Sequence, residues 1–288
     1  MGCVQSTPVF NINDIPNNST LLKHMNTEKS VFYIDNSHKL WKIHKEHCVR
    51  DSNGAFNNNM AIFNIPPHRH LLIPESVLRR DDNTSIISMA MADTDLFDIL
   101  SKPFDWDYIS DQLYGIASAI KHLHSHGRAH RDIKPENIVS YNGHLCLIDF
   151  DFAYPLEMPV HCGTENFKCS REVTSNWNCS NCDLSRKMDV YAFGKLIFAI
   201  FWQAAAHSMI EKRRFIFEAF HCQYMKTVAH PFTGNWCLWA SIAVRCIARV
   251  PPSRIPIYLA TGPSARGTKN SSTYETGLQM ALADESFA

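Results

Sequence analysis

Residues 130–153 read HRDIKPENIVSYNGHLCLIDFDFA, and no other stretch restricts the fold as tightly. Two short strand-like runs, one around IVSY and one around HLCLI, flank Asn142 and Gly143, the dipeptide that best supplies the left-handed angles of a two-residue hairpin turn. The hairpin carries its chemistry at its flanks: Asp132, Lys134 and Asn137 before the first strand, Asp149 after the second. Two acids, an amine and an amide suit the handling of a metal-chelated triphosphate. One carboxylate orients a hydroxyl, the amine neutralises a moving phosphate, and the remaining oxygens are hard ligands for a hard cation.

Around this centre the chain changes texture. From Leu21 to about residue 92 it is strand-like, with LLKHM, SVFYI, KLWKIHK and TSIISMAM in succession, so a small β-rich lobe is expected over 21–92. Then Ile109, Leu113, Ile116, Ile120 and Leu123 recur at alternating spacings of four and three, an amphipathic helix ended by Gly127. A helical lobe over 93–257 follows. It includes a helix starting near Asp189 in DVYAFGKLIFAIFW, apolar nearly all round, and another in CLWASIAVRCIAR before Pro251 and Pro252. The fold class is α+β, in two lobes. Residues 1–20 read as a leader and tether, and 258–288 as a flexible tail.

With 288 residues, 45% of them hydrophobic, the chain can bury a core. Lys plus Arg equals Asp plus Glu at 28 each, so no global field draws it to nucleic acid, and none is expected as a partner. Ten scattered cysteines read as reduced thiols in a cytosolic setting rather than a disulfide framework. Cys162, Cys169, Cys179 and Cys182 include a single C-x-x-C, a weak zinc signal for which free or buried thiols are the competing reading.

HRDIKPEN, LIDFD and DVYAFG, in that order and spacing, resemble the catalytic loop, metal-binding turn and central-helix signature of the eukaryotic protein kinase family. CIARVPPSRIP resembles its closing motif, with Arg254 as the buried arginine. The resemblance covers residues 21–257 and implies a bilobal kinase fold using ATP and Mg2+ on a protein substrate. Asp132 is then the base or orienting acid, Lys134 the phosphate-neutralising amine, and Asn137 and Asp149 the metal ligands. Val31 and Met91 line the nucleotide, Lys42 of KLWK binds its α and β phosphates with Lys45 as the alternative, and Arg131 and Asp189 give structural support. Lys134-Pro135 and Thr164 in CGT resemble the serine/threonine branch, where such a threonine links the acid and the lysine of the catalytic loop. The small size and altered small-lobe motifs resemble, in style, kinases of large DNA viruses.

Three departures stand out. Gly54 is the only glycine between Gly2 and Gly115, so no G-x-G-x-x-G exists, and His24, Asn26 and Lys29 occupy the glycine positions. The helix-borne glutamate that holds the lysine falls near Asn59 in FNNNMAIF, with no acid nearby, so Lys42 is expected to be held less rigidly. Asp151 replaces the glycine of DFG, with a modest effect expected. YPLEMPVHCGT holds no Ser or Thr before Thr164, so Arg131 is expected to meet Glu157 or stay unpaired, and Glu172 reaches Arg254 only if shifted by one. A pseudokinase, a membrane-held binding scaffold without turnover, is the competing reading; a kinase-like fold acting on small molecules is a weaker one.

MGCVQS fits an N-myristoylation pattern at Gly2, with Cys3 as a palmitoyl site, and resembles the leader of Src-type kinases. One acyl chain holds a membrane marginally and two hold it stably. The expected location is therefore the cytosolic face of a membrane, through lipid.

Overall fold

The computed structural model describes residues 9–10, 15–16, 18–27, 29–44, 49–80, 85–169 and 179–206. Gly2, Cys3, Lys45, Glu172, Arg254, the helix expected over CLWASIAVRCIAR and the tail lie outside the described residues.

The amino-terminal half is a six-stranded sheet made of β1 (Val9–Phe10), β2 (Thr20–Leu21), β3 (Ser30–Ile34), β4 (Lys39–His44), β5 (Ser76–Arg80) and β6 (Ser85–Ala90). Its order is β1-β5-β6-β4-β3-β2, and only the β1–β5 pair is parallel. Helix α1 (Val49–Phe63) packs on β5 and β6, and Phe56 joins Leu40, Val77, Ile87 and Met89 in a buried cluster. Because strand side chains alternate, Leu40, Lys42 and His44 share one face of β4. Leu40 reaches the cluster under α1, so the buried Lys42 and His44 stand on the α1 side of the sheet.

The remainder is mainly helical. A second sheet, β7 (Thr94–Asp95), β8 (Ile138–Tyr141) and β9 (His144–Leu147), sits beside α2 (Leu96–Leu100), α3 (Trp106–Ser125) and α4 (Asn181–Ala206). Asp105 starts α3 by accepting from the amides of Asp107 and Tyr108, and the chain leaves it through Gly127 at φ +74°. Between those ends Ile109, Leu113, Ile116, Ile120 and Leu123 are fully buried, each stabilising the lobe by roughly 1.5–3 kcal/mol. They meet Phe193, Leu196, Ile197 and Ile200 of α4 in one core. The hairpin turns through Asn142 and Gly143 at φ +50° and +76°, the pair of positive angles its sequence called for.

Some expectations were displaced. Lys23–Met25 is a single 3-10 turn rather than a strand, and Val9–Phe10 of the expected tether pairs with Arg79–Arg80. β5 went unread because SVLRR offers only one apolar pair before two arginines, too short for a period of two. Helix α4 starts at Asn181, eight residues before the expected Asp189. Ser180 and Asp183 cap it reciprocally: the Asp183 amide donates to Ser180 Oγ at 3.2 Å and the Ser180 hydroxyl to Asp183 at 2.6 Å.

Candidate active site

The catalytic loop hangs from the first part of α4. Asp189, with no exposed surface, accepts the backbone amides of His130 (2.8 Å) and Arg131 (2.7 Å) and bonds His124 Nε2 at 2.8 Å. Burial by itself raises this carboxyl, but the His124 hydrogen bond, the charges of His124 and His130 and the Arg131 amide outweigh it, so Asp189 is held below the usual range. Arg131 sits at φ +67°, a strained angle for a non-glycine residue that these bonds enforce. His130 closes the other side: its Nε2 bonds the Ile148 carbonyl at 2.9 Å and its ring meets Phe150 edge-on at 5.4 Å.

On this support Asp132, Lys134, Thr164 and Asn137 come together. Asp132 Oδ1 accepts from the Thr164 amide and hydroxyl, both at 2.8 Å, and Oδ2 lies 3.0 Å from Lys134 Nζ. Lys134 also donates to Thr164 Oγ1 at 2.7 Å, closing a three-residue ring. The ring needs Gly163: at φ +97°, a Cβ there would lie 2.2 Å from the Arg131 carbonyl oxygen. Asn137 Nδ2 donates to the Asp132 carbonyl (2.8 Å) and to Oδ2 (2.9 Å), which leaves its amide oxygen as a ligand atom. Burial raises Asp132, but Lys134 and Thr164 bring it below the ordinary value, so it is ionised at neutral pH.

Asp149 follows β9 at φ +65° and accepts from Lys42 Nζ through Oδ1 at 2.8 Å. Its side chain stays one-third exposed, with Oδ2 left over. Asp149 and Asn137 thus offer carboxylate and amide oxygens, a set that fits Mg2+, which takes few protein ligands and completes its shell with water and phosphate. Among the described residues no group of three or more His, Cys, Asp or Glu is placed to hold a metal without such help. Val31 pairs with Ile43 across the sheet, and Met91 packs on the Leu40–Ile87 cluster, its amide donating to the His38 carbonyl at 3.2 Å.

Lys42 is better held than its sequence implies. Besides Asp149 it donates to Asp151 Oδ2 at 2.6 Å, and Asp151 is fixed in turn by His44 Nε2 at 3.0 Å and by Asn59 Nδ2, on its other oxygen, at 2.9 Å. Burial lowers Lys42, yet the two carboxylates outweigh it and raise its pKa above the usual lysine range. The expected looseness of Lys42 is corrected by this geometry, and Asp151, whose replacement of glycine costs the backbone nothing, gains a contact to the lysine that the sequence reading did not assign. The signals were present, an extra acid in DFD and a histidine two residues beyond Lys42 on the same strand face, but nothing in sequence joined them. The turn at the positions expected of the glycine-rich loop is also internally bonded: the Lys29 and Ser30 amides donate to Thr27 Oγ1 at 3.2 and 3.0 Å, and the Phe32 amide to Asn26 Oδ1 at 3.0 Å.

Of the two expectations for Arg131, the second holds among the described residues: no carboxylate pairs with its side chain, and neutral groups take its place. Arg131 is buried, donates to the Pro155 carbonyl (2.9 Å) and Ser185 Oγ (3.0 Å), and stacks over Tyr154 at 5.6 Å. The segment after DFD is therefore tied to the catalytic loop through its Pro155 carbonyl and the Tyr154 ring. Cys162, Cys169, Cys179 and Cys182 are free thiols, and burial pushes Cys162 up to about 11 and Cys169 to about 12, away from the thiolate a metal requires.

Residues 33–254 match the protein kinase domain family. Relatives include the serine/threonine-protein kinase DCLK1 of Rattus norvegicus, 28% identical over 169 residues, which cover 55% of this chain and 37% of the relative. The serine/threonine-protein kinase chk1 of Schizosaccharomyces pombe is 36% identical over 118 residues, 37% of this chain and 22% of that one. A protein of Acanthamoeba polyphaga mimivirus, R436, a serine/threonine-protein kinase by name, is 36% identical over 119 residues, 39% of this chain and 40% of its own length. The chain thus spans less than half the length of these relatives. With the match running across both lobes and through the loop that Asp189 suspends, the chain belongs to the protein kinase domain family.

Proposed function

We propose that the protein is a serine/threonine protein kinase that transfers the γ-phosphoryl group of ATP to a hydroxyl of a protein substrate. The closed ring of Asp132, Lys134 and Thr164 carries this reading. Asp132 orients the incoming hydroxyl and accepts its proton, with Thr164 fixing the direction of its Oδ1. Lys134, half-neutralised by Asp132, remains available to the charge that develops on the transferred oxygens. Lys42 holds the α and β phosphates. Mg2+, when bound, neutralises the β and γ phosphates, and Asn137 and Asp149 are the residues that would hold it.

The test is phosphate transfer from labelled ATP with Mg2+, comparing the natural chain with Asp132→Asn and Asp149→Ala. Signal confined to the natural chain supports catalysis; equal signals from all three overturn it. A pseudokinase scaffold is favoured by one observation, the Lys29 and Ser30 amides already occupied by Thr27 Oγ1. Nucleotide binding without transfer would select that reading.

Attachment to the cytosolic face of a membrane through acyl groups on Gly2 and Cys3 is part of the proposal where Met1 is the translated start, and the MGCVQS pattern supports it. No helix among the described residues is long and apolar enough to cross a membrane. Labelled myristate incorporated into the natural chain and lost in Gly2→Ala is the expected result, and equal label in both overturns it.

A further inference from the structure

We propose that Asp151 is the positioning residue for Lys42, doing from the turn after β9 what a helix-borne acid does elsewhere in the family; this rests on the nucleotide-binding part of the function proposed above. The site of the missing acid on α1 is filled by an amide, Asn59, and that amide points its donor at Asp151 Oδ1 rather than at the lysine. Both carboxylate oxygens of Asp151 are thereby engaged: Oδ1 by Asn59, Oδ2 by Lys42 and His44. The roles of His44 follow from its neighbours: with Nε2–H donating to the carboxylate, Nδ1 accepts from the Ser85 hydroxyl. Asn58 adds a bond from α1 to the Asp151 carbonyl at 2.8 Å.

The relay does two things at once. It gives Lys42 an anionic partner separate from Asp149, so Asp149 is free to use its remaining oxygen without releasing the lysine. It also ties α1 to the segment after β9 by two side-chain amides, a connection reinforced where Tyr154 packs so close to Gly54 that a Cβ there would lie 2.9 Å from its hydroxyl. Asp151 is absent from the residues with positive φ, so its backbone does not call for glycine and an acid is accommodated without strain. Asn58, Asn59, Lys42 and His44 are each at most 7% exposed, which makes the relay a built interior feature rather than a surface ion pair.

The test moves the acid back to the helix. Asp151→Gly, Asp151→Asn and the double variant Asn59→Glu with Asp151→Gly are compared with the natural chain by titration of a fluorescent ATP analogue with Mg2+, by KM for ATP against kcat, and by thermal unfolding without nucleotide. Each single change should weaken analogue binding on the order of tenfold, as expected for losing a hydrogen bond to a charged group, and raise KM more than it lowers kcat. The double variant should recover most of that loss. Asp151→Asn, which keeps the shape, separates lost charge from lost packing.

Unchanged binding in Asp151→Gly, or a folded double variant that recovers nothing, overturns the proposal. Binding that follows this pattern in a chain that transfers no phosphate supports Asp151 as a positioning residue while removing the kinase reading. Normal transfer in Asp151→Gly does the reverse. A natural chain that binds no analogue overturns both.

Discussion

The two faces of the cleft are built differently. In the large lobe Asp132, Lys134 and Asn137 lie within six residues of one another; Thr164 meets Asp132 and Lys134, and Asp189 holds the loop through the His130 and Arg131 amides, contacts their motifs announce. In the small lobe the glycine-rich loop and the helix-borne glutamate are gone, and the lysine is served instead by acids 107 and 109 residues away, backed by an amide from α1. The comparison teaches that loss of a motif and loss of the interaction it encodes are separate events. Short-range geometry must be preserved letter by letter, whereas an anion beside a buried amine can come from any element that reaches it.

This contrast predicts that changes in the Asp132 ring and its support strike turnover, and changes around Lys42, on either lobe, strike nucleotide affinity. The largest effect is expected for Asp132→Asn: kcat should fall by about 10²–10⁴, in line with removal of a positioned general base, with binding of an ATP analogue unchanged in direct titration. A comparable loss of binding would break the division between the faces. Asp189→Ala removes the acceptor of two buried loop amides and of His124, so chemical denaturation should show a loss on the order of 3 kcal/mol, with activity lost beyond what unfolding explains. Equal unfolding midpoints would show that the loop does not depend on that anchor.

Thr164→Val should lower kcat roughly tenfold at constant KM for ATP, and Thr164→Ser should restore it, because of the side chain the hydroxyl and not the methyl joins the ring with Asp132 and Lys134. Steady-state kinetics of the pair sharpens the comparison by asking whether a large-lobe contact moves turnover alone. The smallest effect concerns neither face. His68 is held down to about 4, first by burial and then by the charges of His122 and His70, and His70 is lowered too, first by its own burial. The unfolded chain takes up these protons near pH 6.5 while the folded chain does not. Stability is therefore complete above about pH 6.5 and declines toward pH 4, by about 1 kcal/mol for His68 after allowance for its partial exposure. Melting curves of His68→Gln should be flatter across that window than those of the natural chain.

Much of the architecture was legible beforehand. The alternating fours and threes of Ile109 to Leu123 mark α3, and Asn142-Gly143 marks the hairpin, because helix faces and turn angles are local properties that side-chain spacing and backbone freedom decide alone. The start of α4 is equally local, in the capping pair Ser180 and Asp183, but the apolar run beginning near Asp189 carries the stronger periodic signal. Strand β5 escaped because its few residues carry no usable period and depend on pairing with β6.

Sequence by itself determined the family, the two textures of the lobes and the identity of the groups at the catalytic loop, since each follows from short-range pattern. Only the tertiary structure decided what Arg131 grips and which acid faces Lys42. Arg131 turns inward where the Pro155 carbonyl and Ser185 hydroxyl accept from its Nη2, and Asp151 meets Lys42 because α1 supplies amides where an acid was missing. Burying a charge demands a partner, but which partner is a question of proximity in space, and a single chain read in order carries no record of that distance.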